Sequence, residues 1–226
     1  MKIDRASLRQ IPLFTALDEE DLAYIAANTS EHQYGHNEII ALEGDRNSML
    51  YYVRSGLVKA YRISPEGKEQ IFRLIETGST FNDVPALDGG PNPANLATVE
   101  ASTIYAISGS EILALIMKRP QVALVAVRNL AGRLRQTVSL ASDLSLHHVT
   151  ARIAKILLEH QGGKSKLPVT HRLTQQEIAA LAGTAREVVG RSLKSLETAG
   201  TIDARYGHVV VLNRERLASF AEGITA

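Results

Sequence analysis

The stretch LTQQEIAALAGTAREVVGRSLKSLETAG, residues 173–200, constrains the fold of this chain most tightly. Thr174 can cap a helix, and Glu177 follows three residues later, the spacing of a reciprocal capping box. Ile178, Ala179, Leu181 and Ala182 give that helix an apolar face. Ala182-Gly183-Thr184 ends it, because Gly183 can take the positive φ that a tight interhelical turn needs. A second helix is expected over 185–199, with Val189, Leu193 and Leu196 turned inward and Gly200 just past its end. The pattern predicts a helix-turn-helix.

The start of the second helix carries Arg186, Glu187 and Arg191, with Lys194 one turn on. Arginine reads guanine O6 and N7 with two hydrogen bonds, and glutamate accepts from cytosine N4. A recognition helix presents its N-terminal residues to base edges in the major groove. The same residues also fit a solvated face on which Glu187 and Arg191 pair at i,i+4. The segment C-terminal to this helix favours base reading. Residues 201–204 and 209–212 read as two short strands around the turn Arg205-Tyr206-Gly207-His208, a hairpin wing directly after the second helix.

Upstream, 5–28 reads as helical, with Asp18 a candidate N-cap. From about residue 31 to 107, short β-rich runs at 38–40, 50–53, 57–62, 70–74, 97–99 and 103–107 alternate with turns. Gly44, Gly56, Gly67 and Gly78 fall at intervals of 12, 11 and 11, as in an antiparallel roll or jelly roll. Residues 110–145 are helical again, interrupted by Pro120. Val127, Leu130, Leu134, Thr137, Ala141 and Leu144 recur at spacings 3, 4, 3, 4, 3, a heptad seam that fits a two-fold dimer helix or packing within the chain. A further helix covers 150–161, and 167–173 fits a strand.

Composition narrows the chemistry. The chain has no cysteine, so disulfides, thiolate zinc sites and Cys-ligated iron–sulfur clusters are out of reach. Residues 149–226 carry 11 Lys+Arg against 7 Asp+Glu, a net +4, whereas 1–148 carry 14 against 17, a net −3. A basic C-terminal part suits a nucleic-acid module. The opening MKIDRASLRQ has no signal-peptide core, and no apolar run reaches about 18 residues. A cytoplasmic location with no membrane partner is the expectation. An enzyme built on the roll as a cupin-like metal site would need clustered ligands, but the roll holds only His32 and His36, with no HxH spacing. No catalytic residue and no metal site is assigned.

In this order of parts the chain resembles the CRP/FNR superfamily of bacterial transcription regulators. The tightest segment is Thr174-Gln175-Gln176-Glu177-Ile178 through Gly183, then Ala185-Arg186-Glu187-Val188-Val189-Gly190-Arg191. The resemblance implies an α+β fold: an N-terminal β-roll over 1–110, like a cyclic-nucleotide-binding domain; a dimerisation helix and hinge over 111–147; and a winged helix-turn-helix over 148–226. It implies a homodimer on double-stranded DNA, with RNA polymerase as a further partner. Arg186, Glu187 and Arg191 would read a TGTGA-type half-site twice in a palindrome. Thr174, Gln175, Gln176, Ala185 and Lys194 would face the DNA backbone, with Gln175 in place of a family Arg. Ser192 stands where an apolar residue is usual.

The resemblance also implies an effector pocket, and here the sequence departs from it. Cyclic-nucleotide-binding relatives carry G-E-L, then an R-S pair that holds the cyclic phosphate. Here Asp83 stands for the Glu, and Pro93 and Ala94 occupy the R-S positions. Neither can neutralise a buried phosphate, and Pro93 lacks a backbone N–H. Thr137 matches an adenine contact, but Val138 follows it in place of Ser. Cyclic AMP bound in the usual mode is therefore not expected. Control by abundance alone, another small ligand and haem-based gas sensing remain open, with His32, His36, His147, His148 and His160 as haem-ligand candidates. His147-His148 stands at the hinge, where a charged imidazole would oppose the dipole of the next helix.

Overall fold

The computed structural model describes residues 3, 5–161, 173–204 and 209–223. Two compact units divide the chain: Met1–Arg62 with Arg73–Gln136, and Ile63–Phe72 with Thr137–Ala226.

The expected helix over 5–28 is three pieces: α1 (Arg5–Arg9), a 3-10 turn (Pro12–Phe14) and α2 (Glu19–Ala27). Pro12 fixes its own φ and withholds an N–H, so no continuous helix passes through it. Asp18 caps α2 as expected, accepting from the Asp21 N–H.

Eight strands form the roll: β1 (Thr29–Tyr34), β2 (Ile39–Ala41), β3 (Met49–Ser55), β4 (Leu57–Ile63), β5 (Glu69–Glu76), β6 (Thr80–Phe81), β7 (Asn95–Thr98) and β8 (Ser102–Ser108). They make two antiparallel sheets, ordered β1-β8-β3-β6 and β2-β7-β4-β5. The interior is filled by Tyr51, Val53, Val58, Ile75, Phe81 and Ile104. Gly44, Gly56, Gly67 and Gly78 all have positive φ. At Gly56 a Cβ would also lie 2.7 Å from the Ser102 backbone, so the close approach itself excludes any side chain. β1 and β6 were not legible as strands: TSEHQY is polar, and β6 has two residues.

The helix α3 (Asp83–Asp88) interrupts the roll. α4 (Gly109–Lys118) and α5 (Pro120–Leu146) follow, broken where Pro120 predicts and with the proline opening the second helix. α1, α2, α4 and the start of α5 share a core around Leu8, Phe14, Leu22, Ile25, Ile112 and Val122.

In the second unit, α6 (Val149–Gln161), α7 (Gln175–Ala182), α8 (Arg186–Thr198) and α9 (Arg214–Ala221) surround Ile153, Leu157, Ile178, Val189, Leu193, Leu196 and Leu217. β9 (Ile202–Asp203) and β10 (Val210–Val211) pair antiparallel, forming the wing. The strand expected over 167–173 and the wing turn at 205–208 lie outside the described residues.

Candidate nucleic-acid interface

The helix-turn-helix forms for the local reasons its sequence contains. Thr174 Oγ1 accepts from the Glu177 N–H at 3.2 Å, and Glu177 Oε2 accepts from the Thr174 N–H at 2.7 Å, closing the capping box. Gly183 sits at φ 63, ψ 41, and its N–H closes α7 on the Ala179 carbonyl. Val189, Leu193 and Leu196 are buried, which turns the opposite face of α8 outward.

That outward face carries Arg186, Glu187, Arg191 and Lys194, all exposed. Among the described residues no hydrogen bond or ion pair engages the side chains of Arg186, Glu187 or Arg191. The i,i+4 pairing of Glu187 with Arg191 is not formed, and their polar heads are left to meet a partner. Lys194 is tied differently, its Nζ 2.9 Å from Glu197 Oε2.

Thr174, Gln175, Gln176 and Ala185 are also exposed, at the starts of α7 and α8. Ala185 gives α8 no side-chain cap. The Val188 and Val189 N–H groups bond the Ala185 carbonyl, and among the described residues no side chain caps the N–H groups ahead of them. Thr174 is more committed than its sequence position implied. Its hydroxyl lies 2.8 Å from Glu177 Oε2, so its one proton must change partner to reach a phosphate.

Two features of this unit escaped sequence reasoning. Ser192 is 6% exposed, and its hydroxyl pairs with Thr150 Oγ1 at 3.1 Å. A polar residue at an apolar position is tolerated because a second hydroxyl on α6 satisfies it. The second feature is the hairpin tip 63–72, which belongs to this unit. Lys68 Nζ donates to the Gly183 carbonyl at 2.8 Å, and Gln70 Nε2 to the Ala180 carbonyl at 3.0 Å. Both satisfy carbonyls at the end of α7. Nothing local in GKEQ announces that role.

Along α5 the heptad seam is largely uncovered. Val127 is 60% exposed and Leu134 65%; Thr137 and Ala141 are exposed, and Leu130 and Leu144 half-buried. At the helix end His147 Nδ1 lies 3.1 Å from Asp143 Oδ1, while Lys155 Nζ reaches Asp143 Oδ2 at 2.5 Å. His148 is exposed, just before α6.

The effector positions separate. Pro93 is exposed and its carbonyl accepts from Arg62 Nε at 3.0 Å, while Ala94 is buried. Neither side chain offers a donor, so these residues do not fit a cyclic phosphate. Val138 is 60% exposed on α5. Asp83, by contrast, is 5% exposed and pairs with Arg133. His32 and His36 are exposed, and among the described residues no group of three or more His, Cys, Asp or Glu could hold a metal ion. No described helix is long and apolar enough to cross a membrane.

Comparison with known proteins bears on the same two parts. The cyclic nucleotide-binding domain family matches residues 31–119, and the Crp-like helix-turn-helix domain family matches 151–220. The cyclic AMP receptor protein of Thermus thermophilus is 32% identical over 215 residues, 94% of this chain and 98% of its own. The chain belongs to the CRP/FNR family. The CRP-like cAMP-activated global transcriptional regulator of Mycobacterium tuberculosis is 29% identical over 218 residues, 93% of this chain and 96% of its own. Among solved structures, the c-di-GMP responsive global regulator CLP of Xanthomonas campestris superposes with TM-score 0.73 at 26% identity, covering 86% of this chain and 99% of that one. The protein is a DNA-binding transcription regulator of this family, whose helix-turn-helix members bind DNA and function as dimers.

Proposed function

We propose that the protein is a homodimeric regulator that reads a TGTGA-type palindrome through Arg186, Glu187 and Arg191. The observation that carries this is the start of α8, where two guanidinium groups and one carboxylate stand exposed and unpaired among the described residues. Each arginine matches the O6/N7 edge of a guanine, and Glu187 the N4 amino group of a cytosine. Gln175, Gln176, Lys194 and the backbone at Ala185 fix register on phosphates, with Thr174 joining when its proton leaves Glu177. The uncovered seam from Val127 to Leu144 pairs two copies, which places two recognition helices about one helical turn of DNA apart.

Cyclic AMP in its usual mode does not switch this regulator, because Pro93 and Ala94 supply neither charge nor donor at the phosphate position. Its partners are double-stranded DNA, a second copy of itself and RNA polymerase, in the cytoplasm. Hydroxyl-radical footprinting on a duplex carrying TGTGA-N6-TCACA tests the reading. Two protected half-sites on one face of the duplex are expected. A single protected half-site, or uniform weak protection, contradicts it.

A further inference from the structure

The turn between α7 and α8 decides where the second helix begins, and its backbone is held from outside the helix-turn-helix. The carbonyls from Ala180 to Gly183 lie at the C-terminal end of α7, where a helix runs out of N–H partners of its own. Each of the four meets a side chain from another element. Gln70 Nε2 donates to the Ala180 carbonyl at 3.0 Å and lies 3.4 Å from that of Leu181. Arg152 Nε, on α6, donates to the Ala182 carbonyl at 2.9 Å. Lys68 Nζ donates to the Gly183 carbonyl at 2.8 Å. The backbone contributes the Gly183 and Thr184 N–H groups, which share the Ala179 carbonyl.

These donors are themselves held. Gln70 is half-buried, and its Nε2 also bonds the Ile71 carbonyl at 3.0 Å. Its Oε1 packs on the turn so closely that a Cβ at Gly183 would lie 2.6 Å from it. Arg152 is half-buried, and its Nη1 donates to the His147 carbonyl at 2.8 Å, so one planar guanidinium ties the end of α5 to the end of α7. Lys68 is exposed and brings its charge to the negative end of the α7 dipole. α8 begins at Arg186, with Glu187 in its first turn and no side-chain cap at Ala185. Two-bond contacts to base edges require such side chains to be held within about 0.5 Å and 10–20° of the productive geometry.

We propose that Gln70, Lys68 and Arg152 are positioning residues for DNA reading: they fix the α7–α8 turn, and through it the angle at which α8 offers Arg186 and Glu187 to the major groove. This rests on the reading of α8 as the base-contacting helix. Without the three donors α7 and α8 still pack through Ile178, Val189 and Leu193, but α8 is no longer held at one angle.

The test compares full-length wild type with Gln70→Glu, Lys68→Met and Lys68→Arg. Anisotropy titrations on the TGTGA-N6-TCACA duplex and a scrambled one, at one salt concentration, give the ratio of the two affinities, and Tm is read on the same samples. Gln70→Glu keeps the size of the side chain and sets a carboxylate against two carbonyls. Its added charge weakens binding to both duplexes alike and cancels in the ratio. The ratio falls about tenfold in Gln70→Glu and about threefold in Lys68→Met, and returns towards wild type in Lys68→Arg, which restores a donor. Loss of helix capping alone lowers Tm and leaves the ratio unchanged; that result in Gln70→Glu and Lys68→Met overturns the proposal. If Gln70→Glu does not unfold cooperatively, the Lys68 pair decides. If wild type itself does not favour the palindrome, the half-site reading fails, and amide exchange at Gly183 and Thr184 decides the positioning role. Faster exchange there in the variants, with the interior of α7 unchanged, upholds it; equal exchange overturns it.

Discussion

Arg186 and Asp21 show how differently two charged side chains work in this protein. Arg186 is exposed and unengaged among the described residues, so its removal costs the fold little. If it reads a guanine, Arg186→Ala lowers specific affinity by about 1–3 kcal/mol while binding to scrambled DNA persists, as anisotropy titration on both duplexes will show. Asp21 is buried against Lys118 and Arg119. The Lys118 ammonium, aided by Arg119, holds its carboxyl below the ordinary 3.8, although burial pushes the other way. A lowered folded-state value means that this stabilisation is present above the unfolded value and is lost as pH falls through the folded one. Urea midpoints should therefore drop below about pH 4. Asp21→Asn should cost about 1–3 kcal/mol at pH 7 and flatten that acid limb, the loss moderated because Lys118 is half exposed. An unchanged acid limb in the variant would assign the loss to other carboxylates.

At the scale of elements, the parts with strong local chemistry were readable and the parts settled by distant contacts were not. The capping box at Thr174 and Glu177, the turn at Gly183 and the break at Pro120 each follow from residues within a few positions, and each is present. The roll was legible from its spaced turns, but polar β1 became a strand only by pairing with β8, 76 residues on from Ser30 to Ala106. Ser192 needed Thr150, and the end of α7 needed Lys68 and Gln70. Two substitutions probe these elements. Gly183→Ala forces a Cβ at φ 63, within 2.6 Å of Gln70 Oε1 and 2.8 Å of Leu144 Cδ2. It should destabilise the protein by about 1–2 kcal/mol in denaturant titration. Leu134→Glu places a charge on the exposed seam of α5. Sedimentation equilibrium should show a monomer with near wild-type circular dichroism; a persisting dimer would remove the seam from the interface.

For the whole molecule, the charge asymmetry and the two family domains describe one division of labour. The roll matches the cyclic nucleotide-binding domain family, while Pro93 and Ala94 offer no side-chain donor to a phosphate. The winged helix-turn-helix keeps an exposed Arg, Glu and Arg at the start of α8. On the proposed reading, such a chain reads DNA by the family's chemistry and takes any signal by a different one. Fluorescence anisotropy of the purified protein without cyclic nucleotide, on a TGTGA-N6-TCACA duplex against a scrambled one near 0.15 M salt, addresses that claim most directly. Tight binding that favours the palindrome by about tenfold or more is the predicted result. Equal, weak binding to both duplexes that turns selective only when cyclic AMP is added would contradict it.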